Sequence, residues 1–171
     1  MSRGVMLLAV AVAGGIAVLQ STVLQFVSIA AIQPDLVLII IVYVANKNGA
    51  MIGQLAGLGA GIVLDVMGLA PLGFYALVYA VIGAAYGITK GKMFVDPIFM
   101  PVLFVLVALL MKGILGIALS GLYGIDGVVG RVFATPFLVE LGYTAVVSPG
   151  LFGLLMLIGA LRPEYRRGAG L

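Results

Sequence analysis

Three ionisable residues, Asp65, Lys112 and Glu140, fall inside long apolar runs of this 171-residue chain. A charge at the centre of a membrane-spanning helix costs about 2.5–3.5 kcal/mol on insertion scales, so such residues turn to the protein interior and pair. At a helical rise of about 1.5 Å per residue, Asp65 lies about 5 Å below the nearer end of its helix, Glu140 about 8 Å and Lys112 roughly 15 Å. All three are expected to meet in the outer half of one bundle, and with Gln20, Gln25 and Asp35 they would surround an outer cavity. Lys112 and Glu140 then pair. The pair serves either as part of a polar cavity opening outward or as an ion pair that fixes helix packing. A proton relay is disfavoured, because no further titratable groups lead inward. Glu140, Thr144 and Ser148 recur every four residues and share one helix face, as do Gln54, Gly57, Gly61 and Asp65.

Other chemistry is excluded by composition. The chain has no cysteine and no histidine, which removes thiol catalysis, disulfides, Cys/His metal sites and a Ser–His triad. No paired-carboxylate motif and no phosphate-binding glycine loop with its lysine is present. Neither an enzyme nor a cofactor or metal is expected. The net charge of +3 and the pI near 9.3 do not point to nucleic acid, because the basic residues are spread over loops.

The elements that must position these charges are membrane helices. The chain is 64% hydrophobic and only 9% charged, with mean hydropathy +1.32; soluble domains carry roughly 25% charged residues. A span needs about 20 apolar residues, and backbone groups in hydrocarbon must pair internally. The pattern predicts an all-α integral membrane protein, a six-transmembrane-helix bundle forming a single domain over 1–171. Expected spans are 4–24, 32–45, 50–67, 74–89, 98–122 and 135–161, the last interrupted at Ser148-Pro149-Gly150. Asn46-Lys47-Asn48-Gly49 reads as a turn, and Asp96-Pro97 as the opening of span five. The first apolar stretch does not read as a cleaved signal peptide. Arg3, Lys47, Lys90, Lys92, Arg162, Arg166 and Arg167 fall on one side and only Arg131 on the other. The positive-inside bias therefore predicts both termini in the cytoplasm.

Two stripes of small residues stand out. Gly53, Gly57 and Gly61 form a double GxxxG, and Ala9, Ala13 and Ala17 repeat every four residues on span one. Such stripes let helix backbones approach closely. They serve either a partner's helix or a neighbouring span. Tyr75, Tyr79 and Tyr86 stripe span four, Tyr75 as an interfacial anchor and the deeper two as packing.

Gln20-Ser21-Thr22, Pro34-Asp35-Leu36, the glycines 49, 53, 57 and 61 with Asp65, then Pro71-Leu72-Gly73 with Tyr75, Tyr79, Gly83 and Gly87 form an ordered series. This series resembles the rod shape-determining protein MreD family. The resemblance covers Gln20 to Gly87 closely and the rest by length and span count. It implies a non-enzymatic component of the bacterial cell elongation machinery in the inner membrane, acting in lateral peptidoglycan synthesis. It implies as partners an MreC-like single-span protein and, directly or indirectly, MreB filaments and the RodA/penicillin-binding-protein synthase, in a lipid setting without nucleic acid; a homodimer is compatible with it. It also implies a fold like the substrate-binding subunits of energy-coupling-factor vitamin transporters.

Two functions follow. In the first the chain is a scaffold, and one small-residue groove (Ala9/Ala13/Ala17 or Gly53/Gly57/Gly61) holds the partner's helix. In the second it is a solute-binding transporter subunit, and Gln20, Asp35, Asp65, Lys112 and Glu140 line the pocket. The absence of tryptophan and the scarcity of aromatics near that pocket weigh against a vitamin-like ligand.

Overall fold

The computed structural model describes residues 3–23, 32–68, 70–90, 99–124 and 135–158. Among them are six α-helices: α1 Arg3–Val23, α2 Leu36–Asn48, α3 Ala50–Met67, α4 Phe74–Ile88, α5 Phe99–Tyr123 and α6 Thr135–Ile158. This is an all-helical fold, as expected. Ala50–Met67, Phe99–Tyr123 and Thr135–Leu157 are long and apolar enough to cross a membrane; Met6–Thr22, Leu36–Asn48 and Phe74–Ile88 are shorter apolar helices. The Asp96-Pro97 opening, Gln25 and Arg131 lie outside the described residues.

α2 is the axis of the bundle. It packs against all five other helices, and every residue from Val37 to Ala45 is at most 1% exposed. A helix that is hydrophobic all round belongs in a core, and the run Leu-Val-Leu-Ile-Ile-Ile-Val-Tyr-Val has no polar face to offer water. The helix starts at Leu36, four residues after the expected boundary, because Pro34-Asp35 forms its cap. It runs through Asn46-Lys47-Asn48, where a turn was expected, and only Gly49 separates it from α3. Gly49 has φ +101°, a conformation that a Cβ disfavours.

α3 and α4 make the closest pairing. A Cβ on Gly57 would overlap the Tyr79 carbonyl, one on Gly61 the backbone of Ala76, and one on Gly83 or Gly87 the backbone of α3. A Cβ on Gly53 would meet Ala45 of α2 as well. α1 lies on α3 and α2, with Ala9, Ala13 and Ala17 wholly buried. Both small-residue stripes therefore pack against neighbouring helices of the chain, the second of the two roles that the sequence leaves open. Glycine at these positions is the condition for α3–α4 contact at backbone distance.

α5 and α6 are attached differently, by side chains reaching across. The Tyr43 hydroxyl donates to the Leu155 carbonyl at 3.3 Å, and its ring meets Phe152 edge-on at 5.3 Å. The Tyr86 hydroxyl donates to the Phe104 carbonyl at 2.6 Å. α6 is not interrupted at Ser148-Pro149-Gly150; it continues through Pro149. A proline within a helix leaves the carbonyl four residues earlier without its donor. Here that carbonyl is Ala145's, and the buried Ser148 hydroxyl donates to it at 2.8 Å. Neighbouring hydroxyls repair a broken ladder in this way inside membranes.

Candidate functional site

Because α2 is only 13 residues long, about 20 Å by helical rise, its first turn opens inside the bundle. The leading N–H groups of a helix have no partner within it and must be met by other groups. Asp35 caps the turn, its Oδ1 accepting from the Leu38 amide at 2.9 Å. Gln20 of α1 reaches in, its Oε1 accepting from the Val37 amide at 3.0 Å. Thr144 of α6 accepts from the Asp35 amide at 3.0 Å. Two other helices, α1 and α6, thus join α2's own cap in finishing its leading end.

The other oxygen of Asp35 carries the charge interactions. Its Oδ2 accepts from the Tyr79 hydroxyl at 2.7 Å and from Lys112 Nζ at 2.6 Å. Lys112 also pairs with Glu140 Oε1 at 2.6 Å. The side chain of Asp35 is 1% exposed, against 19% for Lys112 and 23% for Glu140. Two carboxylates face one ammonium, and the α2 N-terminus contributes roughly half a positive charge beside Asp35. Lys112 Nζ also stands 6.0 Å from the centre of the Tyr79 ring, which stacks on Tyr75. The cluster ties α1, α2, α4, α5 and α6 together at one point.

Asp65 does not join it. Its carboxylate accepts from the amides of Gly73 at 2.9 Å, Tyr75 at 2.8 Å and Ala76 at 3.1 Å, which caps α4 across the tight turn at Gly73. Asp65 is therefore the α4 counterpart of what Asp35 does for α2. The expectation that Asp65, Lys112 and Glu140 share one cavity is corrected: Lys112 and Glu140 meet, Asp35 is the buried third member, and Asp65 is used by backbone. Tyr79 and Thr144 were legible only as helix-face positions; the signal for their role was Pro34-Asp35, which marks a helix start in the middle of apolar sequence.

Removal of the α4 cap has a defined expected outcome. Asp65→Ala leaves three amides without their acceptor. N-cap losses of this kind cost about 0.5–2 kcal/mol, and burial adds to that. Purified Asp65→Ala is expected to melt well below the parent chain, with Asp65→Asn in between. An unchanged midpoint for Asp65→Ala would show that the cap is dispensable.

A family model described as rod shape-determining protein MreD matches residues 2–158. The chain belongs to the MreD family. No curated protein and no solved structure gives a significant match. Membership and apolar helices together make it a rod shape-determining membrane protein. Within this MreD-family chain, the residues of the first four helices that carry the sequence resemblance have visible tasks. Gln20 and Asp35 finish α2, Gly53 to Gly87 close the α3–α4 contact, and Asp65 with Gly73 starts α4.

Proposed function

We propose that the chain is a non-enzymatic scaffold of the bacterial elongation machinery. It sits in the inner membrane as one six-span domain with both termini in the cytoplasm, and it holds the transmembrane helix of an MreC-like partner. Through that partner it bears on the MreB filaments and on the RodA/penicillin-binding-protein synthase. Family membership supports this reading, and one structural observation carries it against the transporter reading. Gln20, Asp35 and Asp65, expected to line a solute pocket, accept hydrogen bonds from backbone amides of α2 and α4, and Lys112 lies between two carboxylates of its own chain. Groups used this way hold helices in place. A fold like that of the vitamin-transporter subunits, which the family resemblance implies, would not by itself set function.

With both small-residue stripes occupied internally, the partner's helix meets one of the lipid-facing surfaces. Affinity purification from native membranes in mild detergent, followed by mass spectrometry, tests the reading. Co-purification of a single-span protein with a periplasmic domain, together with wall-synthesis enzymes, is the expected result. Recovery of an ATP-binding-cassette pair and a coupling subunit instead would overturn it. Orientation is tested independently: the chain has no cysteine, so a single Lys90→Cys site should resist membrane-impermeant labelling from outside.

A further inference from the structure

Glu140 closes the charged cluster with one oxygen unused. Its Oε1 accepts from the Lys112 ammonium at 2.6 Å. Its Oε2 has no hydrogen bond or ion pair among the described residues. Two carboxylates against one ammonium leave a negative charge over. The α2 N-terminus offsets part of it, but at Asp35, and Lys112 lies between Asp35 and Glu140. Asp35 is sealed at 1% exposure, so the excess is presented at Glu140, whose side chain is 23% exposed. A carboxylate with an open oxygen on the wall of a membrane bundle is costly until a cation meets it.

The surroundings of Glu140 on α6 indicate what carries that cation. Pro136, Glu140, Tyr143, Val147, Gly150 and Leu154 follow at alternating intervals of four and three residues, so they form one seam along the helix. None of the six is buried, whereas Thr144, Phe152 and Leu155, which meet Asp35 and Tyr43, are. Among the described residues, α6 packs only on α2 and α5. A seam of this spacing seats a second helix. Gly150, where an added Cβ would meet nothing within 4 Å, leaves room for one of that helix's side chains. A lysine or arginine inside a membrane helix is as costly alone as a lone carboxylate there, so pairing relieves both. We propose that this seam receives the partner's transmembrane helix, with a lysine or arginine of that helix on Glu140 Oε2. The inference rests on the scaffold reading and adds to it the docking face and the charge that the partner brings.

The test compares tagged full chains co-expressed with the single-span protein that the parent chain retains, each purified in mild detergent. Glu140→Gln keeps an oxygen for Lys112 and removes the charge. It should lower recovery of the partner about tenfold, between the small effect of an exposed ion pair and that of a buried one, while the melting midpoint stays near the parent's. Changing one basic residue in the partner's membrane segment to glutamine should lower recovery equally, and the two changes together should cost no more than either alone. Gly150→Leu, about 15 Å along the helix from Glu140, fills the seam without touching the cluster and should also lose the partner. Leu138→Trp, 62% exposed and on the opposite side of α6 from Glu140, should not. Undiminished recovery with a folded Glu140→Gln chain, or a loss additive with every basic change in the partner, would overturn the proposal and leave the scaffold reading standing. If Glu140→Gln fails to fold, Gly150→Leu decides, and full recovery there overturns the proposal. A parent chain that retains no single-span protein removes both.

Discussion

Lys112→Met is expected to lower the stability of the purified protein by about 3–5 kcal/mol, because it strands buried carboxylate without its counter-charge. Second substitutions distinguish which carboxylate matters. From sequence, the natural rescue is Glu140→Leu, since Lys112 and Glu140 are the pair read there. The structure predicts a different ranking. Asp35 is 1% exposed and Glu140 23%, so Asp35 bears most of the penalty when the ammonium leaves. Asp35→Asn removes that charge while keeping a side-chain oxygen able to cap α2. Lys112→Met with Asp35→Asn should therefore recover more of the lost stability than Lys112→Met with Glu140→Leu. Thermal unfolding in one detergent, run on the parent, the single variant and both doubles, measures this; the reverse ranking would remove Asp35 from the centre of the cluster.

The second large effect is expected at Gly57. A single added methyl there overlaps the Tyr79 carbonyl, and a backbone carbonyl cannot swing aside as a side chain can. Overpacking costs typically about 1–3 kcal/mol and occasionally more. Gly57→Ala should lie at the upper end, because displacing α4 also moves the Tyr79 hydroxyl away from Asp35. Gly142→Ala and Gly153→Ala are the matched controls. Both glycines are exposed within α6 and would meet nothing within 4 Å, so a small gain of about 0.5–1 kcal/mol is expected from the better helix former. Yields of folded protein and melting midpoints give the comparison. Gly57→Ala behaving like the α6 controls would mean that α3 and α4 do not pack at backbone distance.

Much of the helical order was readable from residues alone. α3 begins and ends where Gly49 and Gly68 mark it, and Lys112 opposite Glu140 followed from depth and the cost of lone charges. Three things were not readable, each for a physical reason. The central place of α2 depends on being buried from all sides, and a continuous apolar run looks the same whether it meets lipid or protein. The continuity of α6 across Pro149 depends on one hydroxyl reaching one carbonyl, a contact that the proline itself hides. The partition of Asp35 and Asp65 between ion pair and helix cap depends on which amides stand open nearby. Acidic side chains serve either end equally well, and only the three-dimensional neighbours decide.

The shortness of α2 bears on how the chain is made. An independently stable membrane helix has to cover roughly 30 Å of hydrocarbon, and α2, with 13 residues between Asp35 and Gly49, covers about two thirds of that. On its own, α2 would keep only its local Asp35 cap and would expose the Val37 amide and the charged Asp35 carboxylate to acyl chains. Its integration is consequently a tertiary event: α1, α4, α5 and α6 supply the groups that make its leading end compatible with the bilayer. A membrane protein usually assembles from helices that are each already at home in lipid; here the central helix depends on its neighbours for the groups that finish its leading end.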